Sequence, residues 1–377
     1  MARKSSTRRR SPRRRNARTS LGATVVILIL IGLVYLFQQA TSSDLGSTGD
    51  APPGDEAPQN GRWYRLYFTT PEATAGLDDP TGGIPDRVAA SFAAAQGTID
   101  VAVYELDLPI LSSALVEAAG RGVRVRLVTD TDSIGEEPIQ ALIEAGIPVI
   151  DDQRDAIMHD KFVVIDGAIV WTGSMNFTRN DAYRNNNSFI EITSTRLAQN
   201  YTREFEEMFT RREFGPTSRA DTPRPVLSLD GTRIENYFSP EDGVARHILD
   251  VLNSARSSIY FMAFSFTRTD FAGALIAKAD QGVIVQGVFE TRQIAAGGDA
   301  AWKALTGADL DVRQDGNQYN LHSKVFIVDE QTVVMGSYNF SRNAEESNDE
   351  NVLIIRDPEI AAAYYAEWQK VWAEAGK

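Results

Sequence analysis

From about residue 62 onward, short runs rich in Val and Ile, bounded by Gly or Asp, alternate with stretches whose apolar residues recur at helical spacing. Ile99–Leu106 (IDVAVYEL) and Gly120–Asp130 (GRGVRVRLVTD) read as buried strands, with Ile110–Gly120 as a helix between them. The same order returns 160 residues later as Ile259–Phe266 (IYFMAFSF), a helical Phe271–Asp280, and Asp280–Glu290 (DQGVIVQGVFE). A second pair of blocks, 163 residues apart, starts at His159 (HDKFVVIDGAIVWTGSMNFTRN) and His322 (HSKVFIVDEQTVVMGSYNFSRN). Each is followed by an apolar run, Phe189–Ile192 or Val352–Ile355, and then by an aromatic-rich amphipathic helix, Leu197–Phe209 or Glu359–Trp372.

Strand–helix–strand units predict an α/β fold, and a repeat this long implies two similar domains rather than a solenoid. The expected architecture is a first domain over 62–214, a connection over 215–233 and a second domain over 234–377. Each is a mostly parallel mixed β-sheet flanked by helices, and the two pack about a pseudo-twofold axis.

Residues 21–37, LGATVVILILIGLVYLF, are different: this uncharged run would span about 25 Å as a helix, at roughly 1.5 Å per residue, close to a bilayer's hydrocarbon thickness. Nine Lys/Arg and no acid fall in residues 1–37, against 38 and 51 in the whole chain, so the remainder carries −22. All nine cations precede the apolar run, which predicts a basic cytoplasmic tail (1–20), a transmembrane helix (21–37) and export of everything beyond it. The expected product is a single-pass protein of the cell membrane with its folded body outside. A cleaved signal peptide is the rival, but the run exceeds the usual range and QQATSS offers only a weak small-residue site at Ala40. Residues 38–61, rich in Ser, Thr, Gly, Pro and acid, read as a flexible linker. The absence of cysteine excludes a thiol nucleophile, a disulfide frame and a Cys-ligated metal.

Two of the three histidines occupy the same place in both repeats, as H-x-K-x-x-x-x-D: His159, Lys161 and Asp166, then His322, Lys324 and Asp329. In each half G-S-x-N-F follows, bringing Ser174 and Asn176, then Ser337 and Asn339. On a strand, residues two apart project from one face, so pseudo-symmetric packing would bring two imidazoles and two ammonium groups into one cleft. Such a cleft suits a phosphodiester anion: the lysines would neutralise its non-bridging oxygens, while Ser174, Asn176, Ser337 and Asn339 would add neutral donors. One His can attack phosphorus while the other protonates the leaving oxygen. Nothing in this scheme requires a metal or cofactor. His247 lacks such partners and reads as structural, and Arg179, Asn180, Arg342 and Asn343 could touch substrate at the rim.

This doubled motif resembles the phospholipase D superfamily over about residues 64–374. The resemblance implies one active site built from two halves, a phosphohistidine intermediate, and site-shaping carboxylates at Asp166 and Asp329, whose other reading is as turn caps at strand ends. It also implies an orienting Glu on the catalytic imidazole. Glu350 stands twenty-eight residues after His322, whereas Asn187 stands twenty-eight after His159. Local spacing therefore predicts His322 with Glu350 as nucleophile, and His159, facing Asn187 or Glu191, as leaving-group acid.

The superfamily spans phospholipases, phosphatidyltransferases such as cardiolipin synthases, and nucleases. A body carrying −22 would repel a nucleic-acid backbone, and a short tether would hold it near the bilayer. A phospholipid is thus the expected substrate; a DNA or RNA endonuclease and a cardiolipin synthase-like transferase are the alternatives.

Overall fold

The computed structural model describes residues 59–61 and 63–376. The expected basic tail, transmembrane helix and most of the linker lie outside the described residues. No helix among the described residues is long and apolar enough to cross a membrane.

The first half is an eight-stranded sheet of β1 (Gln59–Asn60), β2 (Tyr64–Phe68), β3 (Thr98–Val103), β4 (Arg124–Thr129), β5 (Val149–Asp151), β6 (Lys161–Ile165), β7 (Ile169–Gly173) and β8 (Ser188–Thr193). Its spatial order is β1-β2-β8-β7-β6-β3-β4-β5. The second half contains β9 (Val226–Leu229), β10 (Thr232–Ser239), β11 (Ser258–Ala263), β12 (Ile284–Phe289), β13 (Asp311–Gln314), β14 (Lys324–Val328), β15 (Thr332–Gly336) and β16 (Glu350–Arg356). Read from its other edge, the order is β9-β10-β16-β15-β14-β11-β12-β13, the same arrangement strand for strand. The ends of the expected linker and connection are already structured: Gln59–Asn60 pairs with β2, and β9 pairs with β10.

The sheets are mixed, but not mostly parallel as expected. Only β3–β4–β5 and β11–β12–β13 run parallel; the other pairings are antiparallel. The cause is loop length. The helices Pro109–Gly120 and Thr269–Asp280 are long enough to bridge parallel strands, whereas β6–β7 and β14–β15 are joined by tight turns that force antiparallel pairing. Both central turn positions have positive φ: Asp166 and Gly167 at +53° and +59°, Asp329 and Glu330 at +54° and +52°. That conformation matches the twist of the flanking strands.

The halves share one hydrophobic core. Tyr201, on the helix Thr195–Glu206, packs against Phe162 of β6 (ring centroids 4.9 Å) and Phe238 of β10 (5.2 Å). From the other side, Tyr364 on the helix Pro358–Glu374 donates to Ser188 Oγ at 2.9 Å. These two helices, one from each repeat, lie in the seam and keep the halves in register.

Candidate active site

Each motif histidine is fixed by the opposite half. Met158 and Leu321, which precede the two histidines, form parallel bridges with Asp349 and Asn186 across the seam. His159 N accordingly donates to Asp349 O, and His322 N to Asn186 O, both at 3.0 Å. Behind these bridges Asp130 Oδ2 accepts from Met158 N at 2.9 Å and Glu290 Oε2 from Leu321 N at 2.6 Å. Both carboxylates end the repeated strand block, where their doubling is visible in the sequence, but nothing in that block alone ties them to the histidines.

Crossing the seam exchanges the orienting partners. His159 Nδ1 lies 2.8 Å from Glu350 Oε2, and His322 Nδ1 lies 3.0 Å from Asn187 Oδ1. The expected pairing of His322 with Glu350 is therefore wrong, because twenty-eight residues of chain return to the partner half's histidine and not to their own. Glu191 is not involved; its carboxylate holds Arg65 at 3.0 and 3.1 Å. His322 has a second neighbour that spacing could not reveal: Asp181 Oδ1, 3.3 Å from Nδ1. The residue at the equivalent place in the second half is Ala344, so duplication gave no sign of it.

The lysines are arranged alike. Lys161 Nζ donates to His159 O and Lys324 Nζ to His322 O, each at 2.6 Å, leaving other ammonium hydrogens for a ligand. Each ammonium also lies over an aromatic face, Tyr104 at 5.4 Å and Phe264 at 4.7 Å. Asn176 and Asn339 line the same cleft as the two imidazoles, and their amide oxygens have no hydrogen-bond partner among the described residues. This cleft encloses about 560 Å³.

Ser174 and Ser337 do not face the cleft as expected. Ser174 Oγ donates to Asn187 Oδ1 at 2.8 Å and Ser337 Oγ accepts from Asn351 N at 2.9 Å, so they steady the strands that carry the imidazole partners. The preceding glycines have a steric reason: a Cβ at Gly173 would lie 2.2 Å from Ser188 O, and one at Gly336, 2.2 Å from Asn351 O. Asp166 and Asp329 sit beyond the far ends of β6 and β14, about 16 Å of strand from the lysines at roughly 3.3 Å per residue. Asp166 accepts from the amides of Gln96, Gly97 and Thr98, and Asp329 from those of Arg256, Ser257 and Ser258. Both act as turn caps. Arg179 donates its amide to Asp107, Asn180 lines the cleft, and His247 stacks on Tyr237 at 3.6 Å, in a structural role.

Burial governs the electrostatics. It holds both imidazoles well below their usual value, with Lys161 and Lys324 adding to the effect and Asp181 opposing it at His322. Burial lowers Lys161 to about 8 against the pull of Glu350, Asp181 and Glu105. It lifts Glu350 to about 8, opposed chiefly by Lys161. Both shifts disfavour separated charge in the His159–Glu350 pair and leave the imidazole neutral. At Asp181 burial is outweighed by His322, the Asn185 amide and the Asn176 N–H, so its carboxyl lies below the ordinary range.

A family model described as cardiolipin synthase, phospholipase D-like domain, matches residues 88–209 and 248–372, one match per half. The chain belongs to the phospholipase D superfamily. Among curated superfamily members, a Xenopus tropicalis protein named mitochondrial cardiolipin hydrolase is 38% identical over 127 residues, which span 33% of this chain and 59% of that one. A Rickettsia bellii protein named phospholipase D is 30% identical over 143 residues, 38% of this chain and 71% of the relative. Among solved structures, phosphatidylserine synthase from Haemophilus influenzae superposes with a TM-score of 0.60 at 13% identity, over 83% of this chain and 86% of that one; this likeness concerns the fold. The chain thus spans 59% and 71% of the length of these two curated relatives.

Proposed function

We propose that the chain is a phospholipase D-like hydrolase that releases the headgroup of a membrane phospholipid through a phosphohistidine on His159. The observation that carries this reading is the crossed pair of orienters: both motif imidazoles line one cleft, one backed by Glu350 and the other by an ionised Asp181.

With Nδ1–H directed at Glu350, the His159 Nε2 lone pair is free to attack phosphorus. As the phosphorus–oxygen bond breaks, His322 passes a proton to the leaving alcohol; Asp181 and the bound phosphate anion both favour its imidazolium form. A water then attacks the phosphohistidine, giving its proton to His322, and the phosphorus–nitrogen bond breaks to free His159. Lys161, Lys324 and the amides of Asn176 and Asn339 neutralise the charge that gathers on the non-bridging oxygens.

Two features outside the site favour lipid. The chain beyond residue 37 carries −22, which disfavours a polyanionic nucleic acid, and the apolar run at 21–37 would tether the catalytic body beside a membrane, outside the cytoplasm. The test is to offer the full-length chain phospholipid vesicles and single-stranded DNA side by side. Headgroup release with intact DNA is expected; cleavage of DNA with no lipid turnover would overturn the proposal.

A further inference from the structure

The cleft is symmetric where it would meet the phosphate and asymmetric elsewhere. The lysine clamps and the Asn176/Asn339 pair are duplicated, as a phosphate with two equivalent non-bridging oxygens requires. The two ester arms of a phosphodiester are chemically different, so features present on one side only report on what those arms carry. Glu105, Asp107 and Glu136 all line the first-half side of the cleft. In the second repeat, the residues equivalent to Glu105 and Asp107 are Ser265 and Thr267.

Of these acids, Asp107 accepts from Arg179 N at 2.7 Å and Glu136 from Leu106 N at 2.9 Å. The Glu105 carboxylate makes no hydrogen bond among the described residues, and the nearby Lys161 ammonium is directed to His159 O. Lys161 partly balances Glu105, and a phosphate anion bound at Lys161 competes for that lysine, so a ligand that brings its own cation suits this wall. A second feature points to a ligand here: Asn176 is 94% buried, its amide oxygen is an acceptor with no hydrogen-bond partner among the described residues, and it lines the cleft beside Glu105. The aromatic walls of the cleft, Tyr104 and Phe264, already turn their faces to Lys161 and Lys324. They offer no open cage for a quaternary ammonium, whereas a carboxylate suits an ammonium that still has N–H donors.

We propose that Glu105 receives a protonated primary amine on the leaving alcohol, so that the preferred substrate is a phospholipid with an aminoalcohol headgroup of the ethanolamine type. The placement agrees with the division of labour between the histidines. Phe177 N donates to Glu105 O at 3.1 Å and Asn176 N to Asp181 Oδ2 at 2.7 Å, so Glu105 shares its wall of the cleft with Asp181, the partner of the proposed acid His322. Burial raises Glu105 to about 7, with Asp181, Glu136 and Asp107 adding to the rise and Lys161 opposing it; an arriving ammonium would bring it back to the ionised form.

This inference rests on the phospholipid reading, and one competition assay separates the two. The full-length chain is given mixed vesicles containing ethanolamine and glycerol headgroup lipids in equal amounts, and ethanolamine and glycerol are measured from the same vesicles, which yields the ratio of kcat/KM directly. The wild type is expected to favour ethanolamine by at least tenfold, and Glu105→Gln to cut that ratio at least tenfold by losing rate on the ethanolamine lipid. Equal wild-type rates, or a Glu105→Gln loss of the same size on both lipids, would overturn the role of Glu105 while leaving phospholipid hydrolysis in place. Release of neither headgroup would overturn both.

Discussion

The two halves share strand order, turn conformation, lysine clamps and capping carboxylates, yet they differ at the three places where a reaction needs direction. Glu350 backs one imidazole where Asn187 backs the other, Asp181 answers to Ala344, and Glu105 answers to Ser265. On the proposed reading, duplication built the phosphate seat and divergence assigned the roles within it. A symmetric pair of histidines could attack from either side; an imidazole backed by Glu350 and one whose charged form is favoured by an ionised Asp181 cannot exchange duties without cost.

Removing the attacking group should break this arrangement most completely. His159→Ala is expected to lower kcat/KM at least about 10⁴-fold on any phosphodiester, because on the proposed reading it removes the group that forms the covalent intermediate. The paired lysines come next. Lys161 must be protonated to hold the phosphate and titrates at about 8 in the empty cleft, so kcat/KM, which reports on the free enzyme, should fall as pH rises through that value. On the acid side the depressed imidazole keeps the nucleophile neutral, and the rate should hold to below pH 6.5.

Asp181→Asn sharpens the contrast between the histidines. It removes the anion behind the acid and spares the nucleophile, so kcat should fall about 10²-fold with an alkyl leaving group and by less than about fivefold with p-nitrophenolate, which leaves unprotonated. Equal losses on both would show that Asp181 serves the fold and not the proton transfer. The smallest effect belongs to the symmetric periphery: Asp166→Asn, which keeps the left-handed turn but weakens three amide contacts, should cost about 1 kcal/mol in denaturant unfolding and change kcat by less than twofold.

What the sequence disclosed, and what it hid, follows the same division. The two halves and the motif residues His159, Lys161, His322 and Lys324 were legible because duplication marks them twice. Strand orientation is hidden because buried Val/Ile runs look alike in parallel and antiparallel sheets, and only the short turns at Asp166 and Asp329 decide between them. The partners of the imidazoles are hidden for a different reason. Glu350 and Asn187 reach the opposite histidine through bridges at Asp349 and Asn186, contacts that no local spacing encodes. Asp181, without a counterpart, left no repeat signal at all. Ser174 and Ser337 matched the pattern of phosphate ligands, but their hydroxyls are taken up by the strands behind the imidazoles.

The assignment of His159 as nucleophile is open to a direct measurement. In His322→Ala, p-nitrophenolate can still depart without an acid, but the water that should release the phosphoryl group has lost its base. Bis(p-nitrophenyl) phosphate labelled at phosphorus, mixed with this variant and quenched in alkali, should leave a stable phosphohistidine mapping to residue 159. No label at that position in the variant, or wild-type label found on His322 after rapid quenching, would contradict the account.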